Sequence, residues 1–193
     1  MFQLILKLSL SGKLTGSSQC IGEVNAIHFA KLGASVGITG RNKERVNKDV
    51  GACQFHSFNG AKVKYFLRVS YYPWSGWSND DFCRVLIDTI EQLGRLDVLV
   101  NNAGICKMAL TWLTETAMLS KGIEDLMPLI RKRVAETYPL GRIGESEDVS
   151  NAIVFLASDM ASFISGSCLP VDGGSLDGSY THTPPDIMKM ICK

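Results

Sequence analysis

The stretch from Asn79 to Gly104 constrains the fold more than any other part of the chain. Phe82, Val85, Leu86, Ile90 and Leu93 recur at helical spacing, so a helix over 79–93 carries one apolar stripe. Ser78 or Asn79 can cap its start, Asp80 and Asp81 complement the dipole in its first turn, and Gly94 ends it. Leu96–Val100 (LDVLV) follows at once as a nearly continuous apolar run. Such a run marks a strand buried on both faces, and strands of that kind belong to parallel sheets covered by helices.

The same alternation recurs elsewhere. In MFQLILKLSL, Leu4, Leu6, Leu8 and Leu10 alternate with Ile5, Lys7 and Ser9, the period of an opening strand. The run lacks the basic start and small-residue cleavage site of a secretory signal. A glycine-containing turn, Thr15 to Gly22, then leads into a helix over 22–32 whose Val24, Ala26, Ile27, Phe29 and Ala30 form an apolar face. Gly33 stands where a left-handed terminal residue is wanted, and Ala34–Thr39 reads as a second strand. A helix over 147–157 presents Val149, Ala152, Ile153 and Leu156, and Cys168–Val171 reads as a last strand before Asp172-Gly173-Gly174. Strand–helix–strand alternation with short connections defines an α/β fold, a doubly wound parallel sheet with helices on both faces. With 193 residues, one domain over 1–178 is expected, and 179–193, with Pro184-Pro185, as a mobile tail.

Composition narrows the partners. A net charge of +1 gives no electrostatic case for nucleic acid or an anionic membrane surface, and no apolar run reaches transmembrane length. The six cysteines (Cys20, Cys53, Cys83, Cys106, Cys168, Cys192) form no CxxC pair and meet no histidine cluster, so no metal site is expected. Scattered reduced thiols point to a cytoplasmic or cytosol-like compartment.

Three turns carry chemistry. Thr15-Gly16-Ser17-Ser18-Gln19-Cys20-Ile21-Gly22, between a strand and a helix, lets backbone amides approach a pyrophosphate at the positive end of the helix. The second strand ends in Thr39-Gly40-Arg41-Asn42. A carboxylate there would hold ribose hydroxyls, whereas Arg41 suits a 2′-phosphate, which favours NADP over NAD. Asn101-Asn102-Ala103-Gly104 lies directly after the apolar strand, where open α/β sheets bind ligands.

TGSSQCIG, DVLVNNAG, PLGRIGESEDVSNAIVFLASDMASFISG and VDGG stand in the order found in the short-chain dehydrogenase/reductase family. The chain resembles that family over about 12–50, 78–105 and 138–174, most closely its 3-oxoacyl-carrier-protein reductase-like and carbonyl reductase-like, NADP-using members. The resemblance implies a Rossmann-type sheet and an oxidoreductase acting on a small carbonyl or alcohol substrate, with association into homo-oligomers. It maps Gly16, Ser18, Ile21 and Gly22 onto pyrophosphate contacts and Arg41 onto the 2′-phosphate. Asn101, Ala103 and Gly104 map beside the adenosine ribose and the nicotinamide.

The departures from the family bear on activity. Cys20 replaces the middle glycine of the cofactor turn, and Arg68-Val69 stands where an Asp-Val pair would bind the adenine amine; both are expected to weaken cofactor binding. Ser11-Gly12-Lys13-Leu14 reads as an interruption between the opening strand and the turn. Between Gly104 and Leu140 the family's catalytic Ser and Tyr-x-x-x-Lys are missing, so no catalytic residue is assigned. A tyrosine and lysine four apart share a helix face, which lets the cation lower the phenol pKa, and no tyrosine here has a lysine at that spacing. Tyr138 has Arg142 there, separated by Pro139 and Gly141, which make a turn. Ile123, Leu126, Met127, Ile130 and Val134 keep helical spacing, broken by Pro128, and resemble the family's substrate-lid helices. The sheet is therefore expected to be incomplete by two strands and about two helices. Two other readings stay open: a non-catalytic nucleotide-binding or oligomerisation module, and a shortened product without function.

Overall fold

The computed structural model describes residues 11–15, 20–40, 42–58, 62–67, 79–102, 114–116 and 123–178. The chain divides into two compact units, Met1–Gly104 with Val154–Ser162, and Ile105–Ile153 with Phe163–Lys193.

The first unit is a parallel sheet. Its strands are β1 (Ser11–Thr15), β2 (Ser35–Gly40), β3 (Val63–Leu67) and β4 (Val98–Asn101), in the order β3-β2-β1-β4. Helices α1 (Cys20–Lys31), α2 (Lys43–His56) and α3 (Asn79–Leu93) connect them in turn. Parallel neighbours need such crossovers, because a tight turn can only join antiparallel strands. This is the Rossmann-type arrangement expected from the alternation.

α1 buries Gly22, Asn25, Ala26, Phe29 and Ala30, a stripe of two adjacent positions per turn. It ends in a Schellman motif: the Ala34 amide donates to the Phe29 carbonyl at 3.1 Å and the Gly33 amide to the Ala30 carbonyl at 3.0 Å. That ending requires a left-handed residue, and Gly33 supplies it with φ +86°. The chain then enters β2, where Val36, Gly37, Ile38 and Thr39 are all buried. The core of the unit gathers Ala26, Phe29, Ala30, Val36, Ile38, Val46 and Cys53.

Two expectations are corrected here. β1 is Ser11–Thr15, the segment read as an interruption, and Met1–Leu10 lies outside the described residues. Pairing explains the difference: Gly12, Lys13, Leu14 and Thr15 lie opposite Val98, Leu99, Val100 and Asn101, while Ser11–Leu14 align with Ser35–Ile38. A central strand held by two ladders needs little apolar content of its own. The strand after α3 exists, but Val98, Leu99 and Val100 are half-buried, not buried on both faces. β4 is the last strand of the sheet among the described residues, so it is flanked on one side only; β2, with neighbours on both sides, has the burial expected of β4.

The second unit holds a small core of Met127, Val134, Tyr138 and Ile143, with Ile123 and Ile130 packed on it. Helix α4 (Met127–Thr137) carries most of these. Pro128 does not break it. It occupies the first turn, where its missing N–H is no loss, so Pro128 starts the helix and Ile123 and Leu126 fall before it. Two-residue strands β5 (Thr114–Glu115) and β6 (Gly144–Glu145) pair in parallel, and Arg131 on α4 grips the Glu115 carboxylate with two nitrogens. Helix α5 (Ser146–Leu156) follows β6, and a single turn, α6 (Ser175–Gly178), closes the described chain.

Cys168–Val171 forms no strand, contrary to expectation. A strand needs a ladder partner, and among the described residues no strand pairs with this exposed segment. Residues 179–193 lie outside the described residues.

Candidate site at the carboxyl edge of the sheet

In a parallel sheet all carboxyl ends point the same way, so Thr15, Gly40, Leu67 and Asn101 share one edge. Thr15 and Asn101 lie opposite each other in the β1–β4 ladder, which brings the start of the β1–α1 turn beside the end of β4. Open α/β sheets bind ligands at this edge.

From the β1–α1 turn the structure describes Thr15, then Cys20, Ile21 and Gly22; Gly16 and Ser18 lie outside the described residues. Gly22 is buried in the first turn of α1, and Ile21 is half-buried before it. Cys20, at the head of the helix, has φ +55° and is the one residue besides glycines with positive φ among those described. That conformation favours glycine, because a Cβ crowds the following carbonyl. The backbone thus keeps the shape of a glycine turn although the glycine is gone.

α1 also carries Glu23 in its first turn, where a carboxylate favours the helix dipole but competes with any phosphate at that end. Lys48 on α2 offsets it, with Nζ 3.6 Å from Oε1.

Beyond β2, Gly40 is half-buried and leaves no carboxylate, as the sequence implied. Arg41 lies outside the described residues. Asn42 caps α2, its Oδ1 accepting from the Arg45 amide at 3.0 Å. At the end of β4, Asn101 terminates the ladder and the half-buried Asn102 donates its amide to the Val100 carbonyl at 3.2 Å. Ala103, Gly104 and the Arg68–Ser78 segment lie outside the described residues.

Residue-level reading of the sequence missed Asp49. It is buried on α2, in register with Val46 and Cys53. Burial, then the like charge of Glu23, pushes its carboxyl up to about 6 against the opposing pull of Lys48 and Arg45. Burial, with Asp49 and Glu23 nearby, pushes the Cys53 thiol up to about 12. The spacing Val46, Asp49, Cys53 was the available signal, a charged residue on a core-facing stripe.

Tyr138 is buried in the second unit's core, its ring against Gly173. Among the described residues no group of His, Cys, Asp or Glu could hold a metal ion. No helix among them is long and apolar enough to cross a membrane, and Cys20, Cys53 and Cys168 are free thiols.

The described residues fit a dinucleotide at the level of the frame. A glycine-shaped backbone opens α1, a side chain-free Gly22 follows in its first turn, and the carboxyl ends of β1 and β4 are adjacent.

Comparison with known proteins agrees. Residues 13–127 match the family described as short chain dehydrogenase, and residues 112–175 match that described as Enoyl-(Acyl carrier protein) reductase. The chain belongs to the short-chain dehydrogenase/reductase family. It is similar to a 3alpha-hydroxysteroid dehydrogenase of Mediterraneibacter gnavus, 49% identical over 53 residues, covering 28% of this chain and 21% of that protein. The chain spans only about a fifth to a quarter of the length of the first curated relatives it matches. A longer match, to the 3-oxoacyl-acyl-carrier-protein reductase of Thermotoga maritima, is 24% identical over 252 positions and covers 86% of this chain and 99% of that one. An alignment longer than the whole 193-residue chain contains positions that this chain does not fill. The solved short-chain type dehydrogenase/reductase from Mycobacterium ulcerans superposes with a TM-score of 0.73 at 20% identity, covering 87% of this chain and 90% of that chain.

Proposed function

We propose that this chain binds NADP(H) at the carboxyl edge of the sheet and does not turn it over, being a shortened relative of reductases that act on small carbonyl or alcohol substrates. One observation carries the cofactor half of the reading: Cys20 holds a left-handed backbone at the head of α1, the shape a phosphate-cradling turn needs. In this reading Gly16, Ser18, Ile21 and Gly22 face the pyrophosphate, Arg41 pairs with the 2′-phosphate, and Asn101, Ala103 and Gly104 line the ribose and nicotinamide.

The missing half is the proton donor. Bound nicotinamide supplies a hydride, and carbonyl reduction also needs an acid beside the carbonyl oxygen. No tyrosine of this chain has a lysine four residues on.

Calorimetric titration with NADPH and NADH tests the first half. Measurable binding that favours NADPH, and loses the preference in Arg41→Ala, is expected; no binding of either nucleotide overturns it. Mixing the protein with NADPH and a diketone or 3-oxoacyl thioester tests the second half. Absorbance loss at the background rate is expected, and turnover above it overturns the reading.

A non-catalytic association module is the second reading. It is favoured by the exposed run that includes Phe163, Ile164, Leu169 and Val171. A strictly monomeric chain in sedimentation would count against it.

A further inference from the structure

Asp49 is the one buried carboxyl among the described residues that neither the cofactor frame nor a cap uses. It is 1% exposed, on the face of α2 that also carries Val46 and Cys53, both 0% exposed. α2 packs this face against α1 and against β2 and β3. Asp49 Oδ2 has no hydrogen-bond partner. An ionised carboxylate with an unmet oxygen is costly in such a place, whereas the protonated acid is tolerated.

The charged surroundings do not rescue the anion. From α1 the group acting on Asp49 is Glu23, a like charge. From α2 itself the opposing cations are Lys48 and Arg45. Lys48 is divided between Asp49 and its pair with Glu23, and its side chain is 76% exposed, so water screens much of its effect. β2 contains no ionisable residue, and the ionisable residues in the sequence of β3 are Lys64 and Tyr65.

We propose that Asp49 makes the seating of α2 on α1 and the sheet proton-sensitive: the helix is held while the carboxyl is neutral and loosens when it ionises. The sign follows from linkage. Folding raises the group from 3.8 to about 6, so the folded state binds more protons between those values. Its contribution is therefore complete below the lower value and is lost as pH rises through the upper one. A change of that size lowers the folding equilibrium constant roughly a hundredfold between the acid side and neutral pH. The carboxyls of Glu115, Asp148 and Asp172, held below their ordinary values, act in the opposite sense, so the signature of Asp49 is a fall in stability as pH rises.

The test compares the full chain with Asp49→Asn, which keeps the shape and cannot ionise, by urea unfolding from pH 5 to pH 8. The wild type should lose stability relative to the variant as pH rises, by about tenfold in the folding equilibrium constant across this window, the rest of the loss falling between pH 3.8 and pH 5. Parallel profiles, or a difference of opposite sign, overturn the proposal. Should Asp49→Asn fail to fold, two further measurements decide. Glu23→Gln removes the like charge and should shift the stability loss to lower pH; an unmoved profile overturns it. Alkylation at Cys53, resolved by mass spectrometry, should rise with pH more steeply than the same site does in the urea-unfolded chain. Labelling that only tracks thiol ionisation overturns it.

Discussion

Arg142 meets Asp148 with both terminal nitrogens, Nη1 donating to Oδ2 at 2.7 Å and Nη2 to Oδ1 at 2.8 Å. The Glu145 amide donates to the same carboxylate at 2.8 Å, so Asp148 also closes the start of α5 in the manner of a capping box. Arg142 stands four residues after Tyr138, and its guanidinium is held on Asp148.

Removing the pair has a pH signature. The Arg142 hydrogen bond, then the Glu145 amide, holds the Asp148 carboxyl down at about 2. A depressed carboxyl contributes stability above its unfolded value of 3.8 and loses it as pH falls through about 2. Asp148→Asn should cost about 1 kcal/mol near neutrality, the scale of a lost cap at a partly screened pair. The gap between the urea midpoints of the two proteins should narrow by about half from pH 7 to pH 3, which still lies above the folded value of about 2. A constant gap would show that the cost is steric.

Cys20 stores strain that glycine would release. A side chain in the left-handed region costs about 1–2 kcal/mol, and φ at Cys20 is +55°. Cys20→Gly should raise the thermal midpoint by a few degrees, less what glycine's freer unfolded chain takes back. Cys20→Val should lower it, because β-branching tolerates this conformation worst. If glycine is no better than cysteine, the position is unstrained and the cofactor turn has been misread. The same Cys20→Gly protein should bind NADPH more tightly if the thiol crowds the pyrophosphate.

These residues also show what the sequence could and could not disclose. α1 and β2 were legible because one buries a helical stripe and the other a continuous run, and Gly33 announced the end of α1; α3 was legible as a helix from its spacing, although Ile90 of its expected stripe is 48% exposed. β1 was not, because Ser11, Gly12 and Lys13 take their place from two flanking ladders and not from apolar content. Cys168–Val171 misled in the other direction: an apolar run becomes a strand only when it pairs, and among the described residues this one pairs with none. Gly22 in the first turn of α1 and Asn101 at the end of β4 lie in the fold where motif spacing put them. The left-handed Cys20 and the buried Asp49 depend on three-dimensional context, so only their chemical oddity was visible.

Tyr138 yields the next expectation. Its ring lies in the core with Met127, Val134 and Ile143, so Tyr138→Ala should destabilise the second unit by about 3–5 kcal/mol, as large aromatic truncations do. Tyr138→Phe keeps the ring and should leave NADPH affinity unchanged. A loss of nucleotide binding in Tyr138→Phe at wild-type stability would place the hydroxyl in the site after all.

The paired glycines after Asp172 separate strain from crowding. Asp172 accepts from the Gly174 and Leu176 amides at 3.0 Å each, which fixes the turn. Gly173 and Gly174 both have positive φ, +65° and +79°. A methyl at Gly173 would sit 3.4 Å from the Tyr138 ring, ordinary contact, so Gly173→Ala should cost about 1–2 kcal/mol from the backbone alone. At Gly174 the methyl would come within 2.9 Å of Pro139 Cγ, and the rigid ring, held in a buried residue, cannot yield cheaply. Gly174→Ala should therefore cost a further 1–3 kcal/mol or so for overpacking. Gly51→Ala is the matched control: it lies inside α2 with nothing within 4 Å, and it should stabilise by about 0.5–1 kcal/mol through helix propensity. Urea unfolding of the three variants checks the order, with Gly174→Ala the least stable and Gly51→Ala above wild type. Equal losses at Gly173 and Gly174 would mean that Pro139 moves freely and that this turn is not packed against the tyrosine core.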